Sequence, residues 1–66
     1  MQITVNGKIE SLASSMTVAD FIMSKKLVCD HVVVELNRQI IGRTQYTDLA
    51  ISDGDSLEIL NFVGGG

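Results

Sequence analysis

The chain has 66 residues, of which 45% are hydrophobic, and 5 Lys and Arg against 8 Asp and Glu give a net charge of -3. This length predicts one small domain, because two would each fall below the roughly 40 residues that a chain usually needs to fold unaided. The acidic balance disfavours nucleic acid as a partner, since phosphate binding needs clustered basic residues. We expect a cytoplasmic protein without an internal disulfide: Met1–Val5 shows no signal peptide and Cys29 is the only cysteine. The longest apolar runs, such as Val32–Val34, have only three residues, far fewer than the about 20 residues of a membrane span.

The first segments predict a β-hairpin. Gln2–Val5 alternates polar and apolar residues, which is typical of a half-buried strand. Asn6-Gly7 then favours a type I′ turn, in which both central residues have positive φ. Lys8–Leu12 is the expected return strand, but its register stays open because Ile9 and Leu12 do not share a period of two.

A helix is predicted over Val18–Leu27. Its start is indicated by Thr17, which can accept the Asp20 amide, and by Asp20, whose carboxylate can accept the Thr17 amide in a variant of the capping box. Lys25 and Lys26 would lie in the last turn, where cations interact favourably with the helix dipole. The apolar face, at spacings of three and four, consists of Val18, Phe21 and Ile22.

The second half of the chain predicts three further strands. They are His31–Leu36, Gln39–Ile41 and Ser56–Phe62, with turns at Asn37-Arg38 and Asp53-Gly54-Asp55. Between the last two strands, Arg43–Ser52 is expected to form a short helical turn that contributes Tyr46, Leu49 and Ile51 to the edge of the core. Alternation places Val32, Val34, Leu36, Leu57 and Ile59 towards the helix and Val33, Glu35, Glu58, Leu60 and Phe62 on the opposite face.

This order of elements, β-β-α-β-β-turn-β, predicts an α+β fold. One helix can cover one face of a mixed sheet of four to five strands, with the first and last strands parallel in the middle. That arrangement is a ubiquitin-like β-grasp. We expect residues 1–62 to form this domain and residues 63–66 to form a flexible glycine tail.

Two clusters of polar residues lack the pattern that catalysis or metal binding requires. Cys29 and His31 resemble a thiol with a nearby base, but no oxyanion donor or pocket accompanies them, and together they supply too few ligands for zinc. Asp53, Asp55 and Glu58 lack the ligand spacing of a calcium loop. Carboxylates that cap backbone amides of a turn are the better interpretation, so we predict no metal site.

The informative feature is the end of the chain. Gly64–Gly66 holds three of the six glycines and directly follows a strand that should be central. Terminal glycines in general indicate only a frayed end. Here, however, Gly66 carries an α-carboxylate on an arm without side chains, and such an arm can enter a narrow slot. The chain is therefore predicted to be a substrate of other enzymes rather than a catalyst.

Taken together, several short motifs resemble the ThiS family of thiamine-biosynthesis sulfur carriers. They are Val5-Asn6-Gly7, Thr17-Val18, Leu36-Asn37, Arg43 with Tyr46, Asp53-Gly54-Asp55 with Glu58-Ile59, and Phe62-Val63-Gly64-Gly65-Gly66. The related small subunit of molybdopterin synthase shares the fold and the Gly-Gly end but is usually longer. Two further interpretations are a ubiquitin-like protein modifier and a non-covalent β-grasp interaction module.

The resemblance implies a three-step cycle at Gly66. A ThiF-like adenylyltransferase would use ATP and magnesium to adenylate the carboxylate, and a persulfide donor fed by a cysteine desulfurase would convert it to a thiocarboxylate. A thiazole synthase of the ThiG type would then accept the sulfur. Val63, Gly64 and Gly65 would enter the partner's site, and the carrier would bind no cofactor and act as a monomer when free.

A docking patch is expected on the sheet face that the helix leaves open. Its members are Leu60, Phe62, Glu58, Val33 and Glu35, which combine apolar and acidic side chains. The opposing interpretation is that a loop covers Leu60 and Phe62.

Overall fold

The computed structural model describes residues 1–62. The predicted tail of residues 63–66, with Val63 and the three glycines, lies outside them. The five strands are β1 (Gln2–Val5), β2 (Lys8–Ser11), β3 (Val32–Leu36), β4 (Gln39–Ile40) and β5 (Ser56–Asn61), and helix α1 spans Val18–Ser24. Short 3₁₀ turns occupy Cys29–His31 and Arg43–Gln45. Within residues 1–62, no helix is long and apolar enough to cross a membrane.

The strands form one mixed sheet in the order β2-β1-β5-β3-β4. β1 and β5 are parallel neighbours, whereas the pairs β1–β2, β3–β4 and β3–β5 are antiparallel. The predicted β-grasp topology is therefore confirmed, with β5 at the centre of the sheet.

Helix α1 covers one face of this sheet and forms the core with it. Phe21 and Ile22 of α1 are almost completely buried, as are Ile3 of β1, Val34 of β3 and Leu57 of β5. Full burial of each such side chain stabilises the fold by about 1.5–3 kcal/mol. All three apolar residues predicted for the helix face, Val18 included, are in the core.

The segment between β4 and β5 contributes to the core as predicted. It contains the 3₁₀ turn at Arg43–Gln45, after which Tyr46 and Ile51 are buried and Leu49 packs against the core. The Tyr46 hydroxyl donates to the Val32 carbonyl at 3.3 Å, so its polar atom is satisfied inside the core.

The helix is shorter than predicted, because it ends in a left-handed residue other than glycine. α1 stops at Ser24, Lys25 is its C-cap, and Lys26 has φ +61°. The Leu27 amide donates to the Ile22 carbonyl at 3.2 Å, which is the long-range hydrogen bond of a Schellman motif. Lys25 and Lys26 thus follow the last turn, and the prediction that they lie within it is wrong.

At the other end of α1, the Thr17 cap is confirmed in one half only. The Asp20 amide donates to Thr17 Oγ1 at 3.1 Å. Among the hydrogen bonds of residues 1–62, the return bond from the Thr17 amide to the Asp20 carboxylate does not occur. Thr17 instead forms an isolated antiparallel bridge with Ala50.

Four strands are each one residue shorter than predicted. Leu12, Ile41 and Phe62 follow the last residues of β2, β4 and β5. His31 belongs to the 3₁₀ turn before β3, where its amide donates to the Val28 carbonyl at 2.8 Å. This local hydrogen bond holds His31 in the turn, so β3 begins one residue later.

Candidate functional site

The central strand β5 leads directly to the glycine end of the chain. It lies between β1 and β3, so both of its edges are paired. Its register with β3 runs from Leu36 opposite Leu57 to Val32 opposite Asn61. Immediately after the strand, the Phe62 amide donates to the His31 carbonyl at 2.6 Å. The chain is therefore held by the sheet up to the last described residue.

Asn6 fastens β5 from the side of β1. It is the first central residue of the predicted type I′ turn, with φ +49°, and Gly7 follows with φ +83°. Its side chain makes two hydrogen bonds to Ile59: Oδ1 accepts the amide at 2.8 Å and Nδ2 donates to the carbonyl at 3.3 Å. The side-chain amide thus extends the backbone pairing of β5 beyond the end of β1.

Asn37 does the same from the side of β3. It has φ +51° in the tight turn before β4, and its amide donates to the Ser56 carbonyl at 2.8 Å. Its Oδ1 accepts the Ser56 amide at 2.9 Å, while its Nδ2 donates to Asp55 Oδ1 at 3.1 Å. The sequence indicates both asparagines as turn residues only, and it does not reveal their role in holding β5.

The carboxylates before β5 serve the backbone. Asp53 Oδ1 accepts the Gln2 amide at 2.7 Å, and Asp55 Oδ2 accepts the Ser52 amide at 2.7 Å. Glu58 belongs to β5 itself and is exposed, away from this turn. Within the part of the chain that the structure describes, no group of three His, Cys, Asp or Glu residues is placed to hold a metal ion.

Four of the five residues predicted for a docking patch lie side by side on the open face of the sheet. Val33 is directly opposite Leu60 and Glu35 is directly opposite Glu58, on neighbouring antiparallel strands. Leu60 is 55% exposed and Phe62 is 60% exposed. Within residues 1–62, the opposing interpretation that a loop covers these two side chains is thus wrong.

The open face is wider than the predicted patch. Ile9 of β2 and Ile40 of β4 are each 72% exposed. Ile9 is directly opposite Thr4, and Ile40 is directly opposite Glu35. Directly opposite residues share one face of a sheet, so both isoleucines lie on the open face. The position of Ile9 on the open face could have been inferred from the sequence, because a two-residue turn after Val5 fixes the pairing of β1 with β2.

At its centre, the open face carries two like charges. Glu35 and Glu58 are cross-strand partners, and like charges in this position destabilise a sheet. The ion pairs found among residues 1–62 join Lys25 to Glu10 and Arg43 to Asp30. Within these residues, Glu35 and Glu58 therefore form no ion pair. Such an acidic pair among exposed apolar side chains is suited to a partner with a basic surface.

Cys29 and His31 do not form a catalytic arrangement. The sequence places them two apart near the start of a predicted strand, but they lie in the 3₁₀ turn that precedes β3. Cys29 is half-buried and His31 is exposed. No hydrogen bond joins their side chains among the described residues, and neither residue lines the surface groove formed by the β1–β2 hairpin, the segment after α1 and the end of β5.

The fold defines a ubiquitin-like β-grasp protein, and the open face of its sheet exposes apolar and acidic side chains. Comparison with known proteins specifies the family: the model of the ThiS family matches residues 2–66. The sulfur carrier protein ThiS of Bacillus subtilis is 38% identical over 63 residues, which cover 94% of this chain and 96% of that protein. A crystal structure of the thiamine biosynthesis protein ThiS from Geobacter metallireducens superposes with a TM-score of 0.85 at 35% identity and covers 100% of both chains.

The chain therefore belongs to the ThiS family and is a sulfur carrier of thiamine biosynthesis, a protein co-substrate rather than an enzyme. A thiazole synthase of Paramagnetospirillum magneticum is also 36% identical over 66 residues. The chain spans only 20% of the length of that relative.

Proposed function

We propose that the α-carboxylate of Gly66 is the group that carries sulfur. A partner adenylyltransferase of the ThiF type converts it with ATP and Mg²⁺ to an acyl-adenylate. A persulfide sulfur from a cysteine desulfurase system displaces AMP, and reduction of the resulting acyl disulfide by a thiol leaves the thiocarboxylate. The carrier works in the cytoplasm as a free monomer and holds neither nucleotide nor metal itself.

The chemistry requires activation because a carboxylate is a poor electrophile. Its negative charge repels nucleophiles, and oxide is a poor leaving group. Adenylation replaces oxide with AMP, and the final thiocarboxylate is a soft nucleophile. Attachment to a folded domain raises its effective concentration at the acceptor, since the partner binds the domain and the reactive group together.

The observation that carries this proposal is the central position of β5. The strand that ends at Asn61 is paired on both edges and fastened by the side chains of Asn6 and Asn37. A tail that starts from such a strand has a fixed origin. Val63, Gly64 and Gly65 then form an arm that leads to Gly66 and can enter a narrow channel in the partner, because glycines lack side chains.

The sulfur acceptor is proposed to be a thiazole synthase of the ThiG type. The support is the thiazole synthase of Paramagnetospirillum magneticum, part of which resembles this whole chain. A carrier-like segment within a synthase would place the sulfur donor and the acceptor in one molecule. The present chain is separate from the synthase, so non-covalent binding would have to bring donor and acceptor together. We assign this binding to the docking patch of Leu60, Phe62, Glu58, Val33 and Glu35.

Intact-mass spectrometry tests the proposal. The purified chain is incubated with ATP, the adenylyltransferase and a persulfide donor, and we expect one oxygen of Gly66 to be replaced by sulfur. A chain without Gly65 and Gly66 should remain unmodified although it still folds, because the core cluster lies within residues 1–62. A matched Cys29→Ser variant should be modified normally. Modification of the truncated chain, or of Cys29 in place of Gly66, would refute the proposal.

A further inference from the structure

A groove opens on the helix side of the sheet, at the end from which β5 leads to the tail. Its volume is about 400 Å³, within the range of roughly 300–1,000 Å³ that is usual for binding pockets. Its lining comes from the β1–β2 hairpin, the segment that ends α1 and the end of β5. We call it the lysine groove, after the two lysines on its rim, Lys8 and Lys25.

The lysine groove combines an apolar floor with this cationic rim. Val5 and Ile59 face the helix from neighbouring strands, and Leu27 closes the floor from the segment after α1. Aliphatic side chains of a ligand would lose contact with water here, which is favourable in proportion to the area covered.

The two lysines of the rim are in different situations. Lys25 forms an ion pair with Glu10, and its Nζ lies 5.3 Å from the centre of the Phe21 ring. Lys8 has no acidic partner among residues 1–62 and is exposed. It is directly opposite Val5 across the hairpin, so its stem rises from the side of the floor. Lys8 is therefore the cation that is free to meet an anionic group.

The charge of the groove is opposite to that of the rest of the molecule. The chain has a net charge of -3, and the open face carries Glu35 and Glu58. Two of the three lysines of the chain, Lys8 and Lys25, lie on the rim of the groove, whereas Lys26 does not line it. The two faces of the sheet thus offer charges of opposite sign.

We propose that the lysine groove binds an acidic peptide segment of the adenylyltransferase that takes the tail. An aliphatic side chain of that segment covers the floor and a carboxylate pairs with Lys8. This rests on the proposed function. The position of Asn61 supports it: the residue lines the groove and immediately precedes Phe62. Four further residues reach at most about 14 Å when fully extended, so a partner that holds Gly66 must lie close to the groove.

A peptide is favoured over a small anion by the composition of the groove. Inorganic phosphate would gain nothing from the aliphatic floor, and Glu10 on the rim would repel its multiple charges. A single carboxylate next to an aliphatic side chain satisfies both parts of the lining. The adenylyltransferase would then contact the carrier on both faces, with its acidic segment in the lysine groove and a basic surface against Glu35 and Glu58. Only one orientation of the carrier satisfies both contacts, because a reversed carrier would bring like charges together.

The test measures KM for the carrier in ATP–pyrophosphate exchange by the adenylyltransferase. Lys8→Glu should raise KM at least tenfold with kcat unchanged, since a charge in the groove is reversed but the reacting carboxylate is untouched. Lys26→Glu is the matched control, with the same net charge but a residue that does not line the groove, and its KM should stay within twofold of wild type. Asn61→Asp, which adds an acid on the other side of the groove, should also raise KM. Thermal unfolding checks that all three variants are folded.

The outcomes separate the two proposals. Equal KM values for Lys8→Glu and Lys26→Glu, with normal exchange by wild type, would overturn the groove proposal alone. Absence of exchange with the wild-type chain would instead refute the proposed function. A further experiment titrates the free chain with inorganic phosphate and follows the chemical shifts by NMR. Saturable chemical-shift changes confined to the groove would identify a small-anion site and overturn the peptide assignment.

Discussion

Replacing Asn6 with glycine removes the two side-chain hydrogen bonds that join the β1–β2 turn to Ile59 of β5. Glycine accepts the φ of +49° at this position without strain, so the turn itself is preserved. Each half-buried hydrogen bond contributes about 1 kcal/mol, which predicts a loss of about 2 kcal/mol. That is a large share of the roughly 3–10 kcal/mol expected for the free energy of unfolding of a chain this size.

Asn6→Ala should cost more than Asn6→Gly. It loses the same two hydrogen bonds and also forces a side chain with a Cβ into the left-handed region, at an additional cost of about 1 kcal/mol. The order of stability is therefore wild type, then glycine, then alanine. Asn37→Gly provides a matched comparison on the other side of β5, and it should cost less because the bonds of Asn37 are solvent-exposed.

Urea unfolding followed by far-UV circular dichroism measures these differences, and the chain has no tryptophan for a fluorescence assay. A loss of about 2 kcal/mol corresponds to a decrease in Tm of roughly 10 °C for a domain of this size. Hydrogen exchange gives a local readout, since the Ile59 amide loses its acceptor in both Asn6 variants. If Asn6→Gly unfolds within about 0.3 kcal/mol of wild type, which is near experimental error, the asparagine does not fasten β5.

Three other substitutions test separate parts of the structure. Arg38→Gly should stabilise the chain by about 0.5–1 kcal/mol, because Arg38 has φ +70°, a left-handed conformation that glycine adopts without strain. A lower stability in urea would show that the Arg38 side chain makes a compensating contact. Tyr46→Phe should cost about 1 kcal/mol, since the hydroxyl bonded to the Val32 carbonyl is lost inside the core; an unchanged unfolding midpoint would contradict this. Phe62→Asp should weaken binding to the adenylyltransferase about tenfold in calorimetry without unfolding the chain, whereas Val28→Asp, at a similarly exposed site outside the sheet, should not. Equal affinities would show that Phe62 does not contact the adenylyltransferase.

The β-grasp fold could be predicted because its local signals agree with one another. Asn6-Gly7 specifies a two-residue hairpin, Thr17 marks the start of the helix, and alternation identifies the core face of β3 and β5. The C-terminal end of α1 could not be placed, since the left-handed residue there is Lys26 and lacks the glycine that usually signals a Schellman motif. Only the packing of Leu27 against the core shows why the chain turns at that point.

The site was only partly visible in the sequence. Val33, Glu35, Glu58 and Leu60 are found on the open face by alternation alone. The bonds of Asn6 to Ile59 were not predictable, because they join residues 53 positions apart and depend on the sheet register. The lysine groove was missed for the same reason, since its lining comes from three segments that are distant in the chain.

The central placement of β5 determines how the domain resists force applied after Phe62. An edge strand can detach while the rest of a sheet persists, but β5 is paired with both β1 and β3 and buries Leu57 and Ile59 in the core. Detaching it therefore requires opening most of the domain, so the amides of β5 that are bonded to the backbone of its neighbouring strands should exchange only through global unfolding. Edge strand β4, with two residues, should exchange much faster. Force applied beyond Phe62 is thus resisted by the full stability of the fold, and the open face of the sheet stays intact until the domain unfolds.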